Sequence, residues 1–152
     1  MALLGLGLLR SFQDKLIAKL ADFIPSVEGF EAVPYWDVSR YSWGYGTAAP
    51  GPPGSGTITR EQAFADMITY LLHDYTNLSA RITRKLTVNQ WAALLSFSYN
   101  LGVGDAYNLV ANINSGDDTA LGIQWRKYIY ANGQVNQTLV DRRQKEWNLW
   151  IS

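Results

Sequence analysis

Apolar residues recur at spacings of three and four along most of the chain, which predicts a mainly helical protein. The first such stretch follows Ser11, a residue type that favours a helix N-cap, and continues to about Ile24. Pro25 interrupts the pattern and can begin a second short turn that ends at Glu28. Gly29 comes next, and glycine is the usual residue just beyond a helix. We therefore expect Glu28 at the C-terminal end of a helix with one buried face.

Later helices have clearer starting signals. A threonine is followed three residues later by a glutamine at 59–62 and again at 87–90, and this spacing is the capping box that opens a helix. An Asn-Gly pair at 132–133 indicates a turn before the last helix. Ile123, Trp125 and Tyr128 are expected in the core. The predicted helices cover residues 59–82, 91–101, 105–113, 118–129 and 136–150.

The pattern changes between Ala32 and Thr47, where aromatic residues and glycines replace the helical period. This composition predicts two or three short antiparallel strands, with turns at 38–40 and at the glycines. A loop rich in proline and glycine follows at 48–57. The fold class expected is α+β and mostly helical: a small sheet lobe at about 28–58, and a helical part at 1–27 and 59–152.

Composition narrows the possibilities further. A chain of 152 residues can form one core and is too short for two ordinary domains, so we expect a single domain. The absence of cysteine excludes disulfides and cysteine-based zinc sites. With His73 as the only histidine, expected to be a surface or structural residue of a helix, we predict no metal and no cofactor. The net charge of zero argues against nucleic-acid binding.

Residues 1–9 form an uncharged apolar run that Arg10 closes. Crossing a bilayer takes about 20 such residues. The run also lacks the basic start and the small-residue cleavage site of a secretory signal. We expect a short segment that packs against the domain or frays, with no signal peptide and no stable membrane insertion.

Two carboxylates, Glu28 and Asp37, lie nine residues apart in surroundings that differ. Glu28 ends an apolar helix, whereas Asp37 follows Pro34 in a turn-rich and wetter segment. Cleavage of a glycosidic bond uses such a pair, because one carboxyl must stay protonated while the other stays charged.

The segments EGFEAVPYWD at 28–37 and SWGYGT at 42–47 resemble the signature of the phage-type lysozymes, the glycoside hydrolase family 24 endolysins. The resemblance extends from about residue 12 to residue 150. It includes the central motif at 86–102 and the closing motif at 136–150. It implies a lysozyme-like fold with a cleft between its lobes. It also implies hydrolysis of the β-1,4 bond between N-acetylmuramic acid and N-acetylglucosamine in bacterial peptidoglycan, for lysis of the host.

The resemblance also implies the catalytic roles. Glu28 is expected to be the general acid, and Asp37 to position the attacking water and stabilise positive charge on the sugar. Ser42 stands where the family has a threonine that holds the water, and its gap from Asp37 is one residue shorter. Thr47 is the alternative source of this hydroxyl. We expect inversion at the anomeric carbon.

Supporting residues follow from the other two motifs. Tyr99 and Asn100 match positions near the cleft floor, and Tyr99 is a candidate sugar contact. One of Arg142 and Arg143 is expected to approach Glu28, leaving the other exposed. Most aromatics of the sheet are expected to pack it, and the rest to stack on sugars. These aromatics are Tyr35, Trp36, Tyr41, Trp43 and Tyr45.

Two other functions compete with this one. A lytic transglycosylase cleaves the same bond with one acid and no water, and an inactive module would bind the wall without cutting it. Asp37 argues against the first, and the intact carboxylate pair argues against the second. The resemblance further implies a monomer that is made in the cytoplasm of a bacterial host and reaches the wall by holin-type release. Residues 1–9 could alternatively be the remnant of a signal-arrest-release anchor.

Overall fold

A computed structural model describes the backbone of residues 2–152 and the side chains of residues 11–152. The packing expected for residues 1–9 concerns side chains outside this description. The described part contains seven helices and five short strands. The helices are α1 (Ala2–Val27), α2 (Arg60–Ser79), α3 (Val88–Leu101), α4 (Val103–Tyr107), α5 (Val110–Ser115), α6 (Asp118–Trp125) and α7 (Gln137–Trp150). The strands are β1 (Glu31–Asp37), β2 (Arg40–Gly44), β3 (Thr47–Ala48), β4 (Tyr130–Ala131) and β5 (Gln134–Val135).

Helix α1 differs from its prediction at both ends. It begins at Ala2 rather than at a cap on Ser11, and it continues through Pro25 to Val27 without a separate second turn. A proline within a helix removes one backbone hydrogen bond. The bonding resumes after it, because the Glu28 amide donates to the Ile24 carbonyl at 2.8 Å. The apolar stripe of α1 packs against the core up to Ile24, the residue just before the proline, and this packing holds the end of the helix in place despite the lost bond. None of the described helices is both long enough and apolar enough to cross a bilayer.

The three strands β1, β2 and β3 form an antiparallel sheet in that order, as predicted. Tyr35 pairs with Ser42, and Asp37 pairs with Arg40 across a tight turn. Residues two apart on a strand share a face. The register therefore brings the Asp37 and Ser42 side chains to the same face of the sheet.

The sheet packs closely on α2 at Gly44. This glycine has a φ of +60°, and a Cβ built on it would lie 2.8 Å from the Cβ of Ala63. A side chain at this position would meet both backbone strain and a steric clash with α2. Glycine at position 44 therefore allows the sheet and the helical part to approach each other.

We predict that Gly44→Ala lowers the free energy of unfolding by about 2–3 kcal/mol, because it combines left-handed backbone strain with overpacking. Urea denaturation followed by tryptophan fluorescence measures the change. Gly54→Ala is the matched control, since Gly54 also has a positive φ but has no atom near its Cβ position. If the two variants lost equal stability, the contact with Ala63 would have no part in the effect.

Helix α3 lies at the centre of the helical part. Every residue from 91 to 98 is buried, so this helix is enclosed on all sides. Both predicted capping boxes are confirmed: Thr59 and Thr87 each accept the backbone N–H of the glutamine three residues on, at 3.1 Å. The α+β, mostly helical fold class is confirmed as well.

The region between α3 and α7 contains more and shorter elements than the two helices predicted there. The helix expected at 105–113 is split into α4 and α5, because the carbonyl of Asn108 accepts a hydrogen bond from the Gln124 side chain of α6 at 2.8 Å. The helix expected at 118–129 ends at Trp125, and a small hairpin of β4 and β5 follows, with its turn at 132–133. Ile123 was expected in the core and is 55% exposed, whereas Trp125 is fully buried.

Candidate active site

Glu28 and Asp37 lie on the walls of one cavity of about 340 Å³. Glu28 directly follows α1, and Asp37 ends β1, so the turn of chain between them brings the two carboxylates to the same opening. The Glu28 side chain is 23% exposed, and Asp37 is exposed. The cavity is lined by Glu28, Tyr35, Asp37, Arg40, Tyr45, Gly46, Tyr99 and Asn100.

Arg142 of α7 is the arginine that reaches Glu28. Its guanidinium donates to the Glu28 carboxylate, and only 5% of its side chain is exposed. Its remaining donors bind within the helical part, to the Ser96 carbonyl at 3.0 Å and to the Glu146 carboxylate at 3.2 Å. These contacts hold the guanidinium in place, and through it they hold one oxygen of Glu28.

Arg143 was expected to be exposed if Arg142 approached Glu28, and this expectation is wrong. Its side chain is fully buried and donates to the Asn100 side chain at 2.8 Å and to Glu146 at 3.0 Å. Burial lowers the pKa of Arg143, and the neighbouring charge of Glu146 opposes that shift. Burial is possible because a carboxylate lies within the same helix to compensate the charge.

Glu146 was missed by the sequence analysis. It is fully buried and accepts hydrogen bonds from both arginines. It also accepts from the Ser96 hydroxyl at 2.7 Å and from the Trp125 indole at 3.0 Å. The spacing of Glu146 from the two arginines could have revealed it, since residues three and four apart on a helix are neighbours. Arg142 and Arg143 stand four and three residues before it.

Of the two candidate hydroxyls, Ser42 is the one beside Asp37. Its side chain is fully buried, and its oxygen lies 3.5 Å from the Asp37 carboxylate, which is long for a hydrogen bond between oxygens. Thr47 lines neighbouring cavities rather than the one that holds Glu28, and its hydroxyl is buried without a partner among the described residues. Ser42 approaches the carboxylate from the interior of the sheet lobe, and like Thr47 it does not itself line the cavity that holds Glu28.

Tyr99 lines the cavity and connects the two lobes. Its hydroxyl, at the end of α3, donates to the Tyr45 carbonyl in the sheet lobe at 2.7 Å. Burial raises the pKa of Tyr99, and the charge of Glu28 adds to this shift. The hydroxyl therefore stays neutral and remains a hydrogen-bond donor between the lobes.

Tyr35 and Arg40 also line the cavity. Tyr35 was one of the five aromatics expected to pack the sheet or to stack on sugars, and Arg40 had no predicted role. The two-residue period of a strand could have found Tyr35, because it shares a face with Asp37. Burial raises the pKa of Tyr35, and the charges of Asp37 and Glu28 raise it further. Arg40 donates to the Gly46 carbonyl at 3.3 Å, which places a positive charge at the edge of the cavity.

The part of the chain that the structure describes contains no group of three or more acidic or histidine side chains arranged to hold a metal ion. His73 has a side chain that is 75% exposed, as predicted, and it contacts Asn77 one turn later on α2.

A small antiparallel sheet and a larger helical lobe, on either side of a polar cavity that holds two carboxylates, define a lysozyme-like protein. The chain belongs to the phage lysozyme family, a family of glycoside hydrolases, whose model matches residues 25–146. The matched region includes Glu28, Asp37 and Ser42. It also includes Arg142, Arg143 and Glu146 of α7.

Individual relatives agree with this assignment. The chain is 28% identical to the endolysin of Bacillus phage PZA over 97% of its own length, and it spans about half (54%) of the length of that relative. Its fold is similar to the muramidase domain of SpmX from Asticaccaulis excentricus, with a TM-score of 0.79, 27% identity, and coverage of 89% of this chain and 95% of that one. It is also similar to the endolysin from Escherichia coli O157:H7 phage FAHEc1, with a TM-score of 0.70, 28% identity, and coverage of 88% and 91%.

Proposed function

We propose that this protein is a lysozyme of the endolysin type that hydrolyses the β-1,4 bond between N-acetylmuramic acid and N-acetylglucosamine in peptidoglycan. We also propose that residues 1–152 act as one catalytic domain. The observation that carries the proposal is the shared cavity of Glu28 and Asp37. Membership of the phage lysozyme family and the similarity to proteins named endolysin and muramidase support it.

In this proposal Glu28 is the general acid. Arg142 contacts its Oε1 atom, so the Oε2 atom is the one that carries the proton to the leaving oxygen of the glycosidic bond. The bond to the anomeric carbon breaks as that proton is transferred. The held guanidinium keeps the carboxyl group oriented toward the substrate, which places the proton within reach of the leaving group.

In the same proposal Asp37, which lines the same cavity, positions the attacking water and stabilises positive charge as it develops on the sugar. The cavity of about 340 Å³ is far larger than the roughly 10–15 Å³ of such space that one water needs, so it has room for the attacking water. We propose inversion at the anomeric carbon, with the water attacking from the Asp37 side. Product NMR early in the reaction tests this, and initial formation of the β-anomer would contradict inversion.

The reaction itself is tested with purified protein on permeabilised bacteria and on isolated peptidoglycan. Hydrolysis should clear the suspension and produce reducing muramic acid ends that carry one oxygen from labelled water. A lytic transglycosylase would instead leave 1,6-anhydro ends without that oxygen, and mass spectrometry of the products separates the two. Binding to the wall without clearing would contradict the enzyme proposal and favour an inactive binding module.

We predict that Ser42→Ala lowers kcat by at least about tenfold, or roughly 1.4 kcal/mol in the barrier, because the buried hydroxyl no longer contacts Asp37, the carboxylate that positions the water. Rates of clearing and product release measure the effect. Ser39→Ala is the control, since Ser39 is exposed in the turn between β1 and β2. Unchanged turnover in Ser42→Ala would contradict a role for the Ser42 hydroxyl. Thr47 would then be the remaining candidate for the catalytic hydroxyl.

The remaining proposals concern the oligomeric state of the protein and the route by which it reaches the cell wall. We propose that the protein acts as a monomer on the cell wall after holin-type release from the host cytoplasm, as its resemblance to endolysins implies. Expression in bacteria with and without a co-expressed holin tests the route. Lysis that needs no holin would contradict it.

A further inference from the structure

The cavity that holds Glu28 has a wall residue that is tied to the buried ion pairs of α7. This residue is Asn100, which stands one position before the end of α3 and is half-buried. Its side-chain oxygen accepts a hydrogen bond from the Arg143 guanidinium at 2.8 Å. Arg143 is fully buried behind this wall and does not line the cavity itself. Asn100 therefore lies between the buried arginine and the space in which a substrate would bind.

The contact with Arg143 fixes which way the Asn100 amide points. A guanidinium has only N–H donors, so it pairs with the amide oxygen and not with the amide nitrogen. Because the oxygen and the nitrogen lie on opposite branches of one planar group, the oxygen faces the interior and the nitrogen faces the cavity side. Among the described residues no acceptor is paired with this nitrogen, and the protein does not enclose it. Its N–H groups are therefore free to donate to a group in the cavity.

Stability alone is a poor explanation for an arginine at position 143. Removing a guanidinium from water is costly, and buried ion pairs are often replaced by apolar side chains without loss of stability. The charge is not fully compensated either, because the Nη1 atom of Arg143 has no hydrogen-bond partner within the described part of the chain. Its Nη2 atom donates both to Asn100 and to Glu146. The arginine is thus placed to reach the cavity wall rather than to satisfy its own donors.

Glu146 joins this contact to the one that holds the general acid. Its Oε1 atom accepts from Arg142 at 3.2 Å and from Arg143 at 3.0 Å. Arg142 in turn contacts Glu28. One buried carboxylate oxygen therefore sets the positions of two guanidinium groups, and these hold Glu28 and Asn100 at the wall of the same cavity.

We propose that Arg143 is a positioning residue for the reaction: it holds the Asn100 amide with its N–H groups toward the cavity, where they donate to an oxygen of the bound sugar. This inference rests on the proposed function, because the sugar is one whose bond Glu28 cleaves. Arg143 itself touches no substrate and acts through Asn100. The hydrogen bond from Asn100 orients the sugar beside the carboxyl group that protonates the leaving oxygen.

Asn100→Asp separates this role from a structural one. Aspartate has almost the same shape and forms an ion pair with Arg143, so the urea midpoint should not fall. It has no N–H group to donate. In a Glu28→Gln background, in which cleavage does not interfere, it should therefore bind the N-acetylglucosamine hexasaccharide about tenfold more weakly in calorimetry. Asn148→Asp is the matched control, since Asn148 is an exposed residue of α7 that does not line the cavity, and it should bind like the background protein.

A double-mutant cycle in the same background tests whether Arg143 acts through Asn100. Asn100→Ala should weaken binding of the hexasaccharide about tenfold, and Arg143→Met, which frees the amide to rotate, about fivefold. The two changes together should weaken it no more than Asn100→Ala alone. Additive losses would overturn the positioning role, because an effect of Arg143 on the fold would persist without the Asn100 amide. If Arg143→Met failed to fold, the Asn100→Asp protein would still decide the matter.

Unchanged binding by the Asn100→Asp protein would overturn the proposal, and so would a background protein that fails to bind the hexasaccharide. A loss in Asn100→Asp that Asn100→Ala does not share would be an effect of the added charge and would also overturn it. Failure of the wild-type protein to cleave peptidoglycan would instead contradict the proposed function. The binding measurement distinguishes the two failures, because it requires no cleavage.

Discussion

Glu28→Gln is expected to reduce kcat on peptidoglycan by about 10²–10⁴-fold, the contribution of a general acid. Glutamine has nearly the same shape and still accepts a hydrogen bond from Arg142, but it has no proton to give to the leaving oxygen. The rate of clearing of permeabilised bacteria and chromatography of the released fragments measure the loss. KM should change much less than kcat, because the side chain is exchanged for one of equal size.

The fold of this variant should survive. Arg142 keeps Glu146 and the Ser96 carbonyl as partners when the charge of Glu28 is removed. Glu31→Gln is the matched control, since Glu31 is an exposed carboxylate on β1 that does not line the cavity. Near-wild-type turnover in a folded Glu28→Gln protein would rule out Glu28 as the acid.

Glu146→Ala is expected to lower the free energy of unfolding by about 3–5 kcal/mol, the usual cost of removing one partner from a buried ion pair. The substitution would leave Arg142 and Arg143, which are 5% and 0% exposed, without a carboxylate between them. It would also remove the acceptor for the Ser96 hydroxyl and the Trp125 indole. Because whole domains are stable by only about 5–15 kcal/mol, the loss should shift the urea midpoint strongly.

Two further variants separate charge from shape at this position. Glu146→Gln keeps an oxygen acceptor but not the charge. Its free energy of unfolding should therefore lie between that of wild type and that of Glu146→Ala. Asp141→Ala removes an exposed carboxylate from the same helix and should stay within about 0.5 kcal/mol of wild type. An unchanged midpoint in Glu146→Ala would mean that the buried cluster contributes nothing to stability.

Predictions based on local signals succeeded, as the starts of α2 and α3 illustrate. Each begins at a threonine whose partner glutamine is three residues away, so the whole interaction lies within one helical turn. The strand and turn pattern between Ala32 and Thr47 is equally local and was also predicted. Errors arose where packing overrides local preference. Helix α1 passes through Pro25, and the helix expected at 105–113 is divided because Gln124 of another helix binds a backbone carbonyl within it.

The sequence alone singled out the two carboxylates that are proposed to carry the chemistry. Glu28 and Asp37 stand nine residues apart, one after an apolar helix and one in a turn-rich strand, and short-range patterns are enough to identify both. Only the tertiary structure decided that Arg142 reaches Glu28 and that Glu146 balances two buried arginines. Glu28 and Arg142 are 114 residues apart in the chain. Their contact depends on how α1 and α7 both pack against α3, and local spacing does not encode that packing.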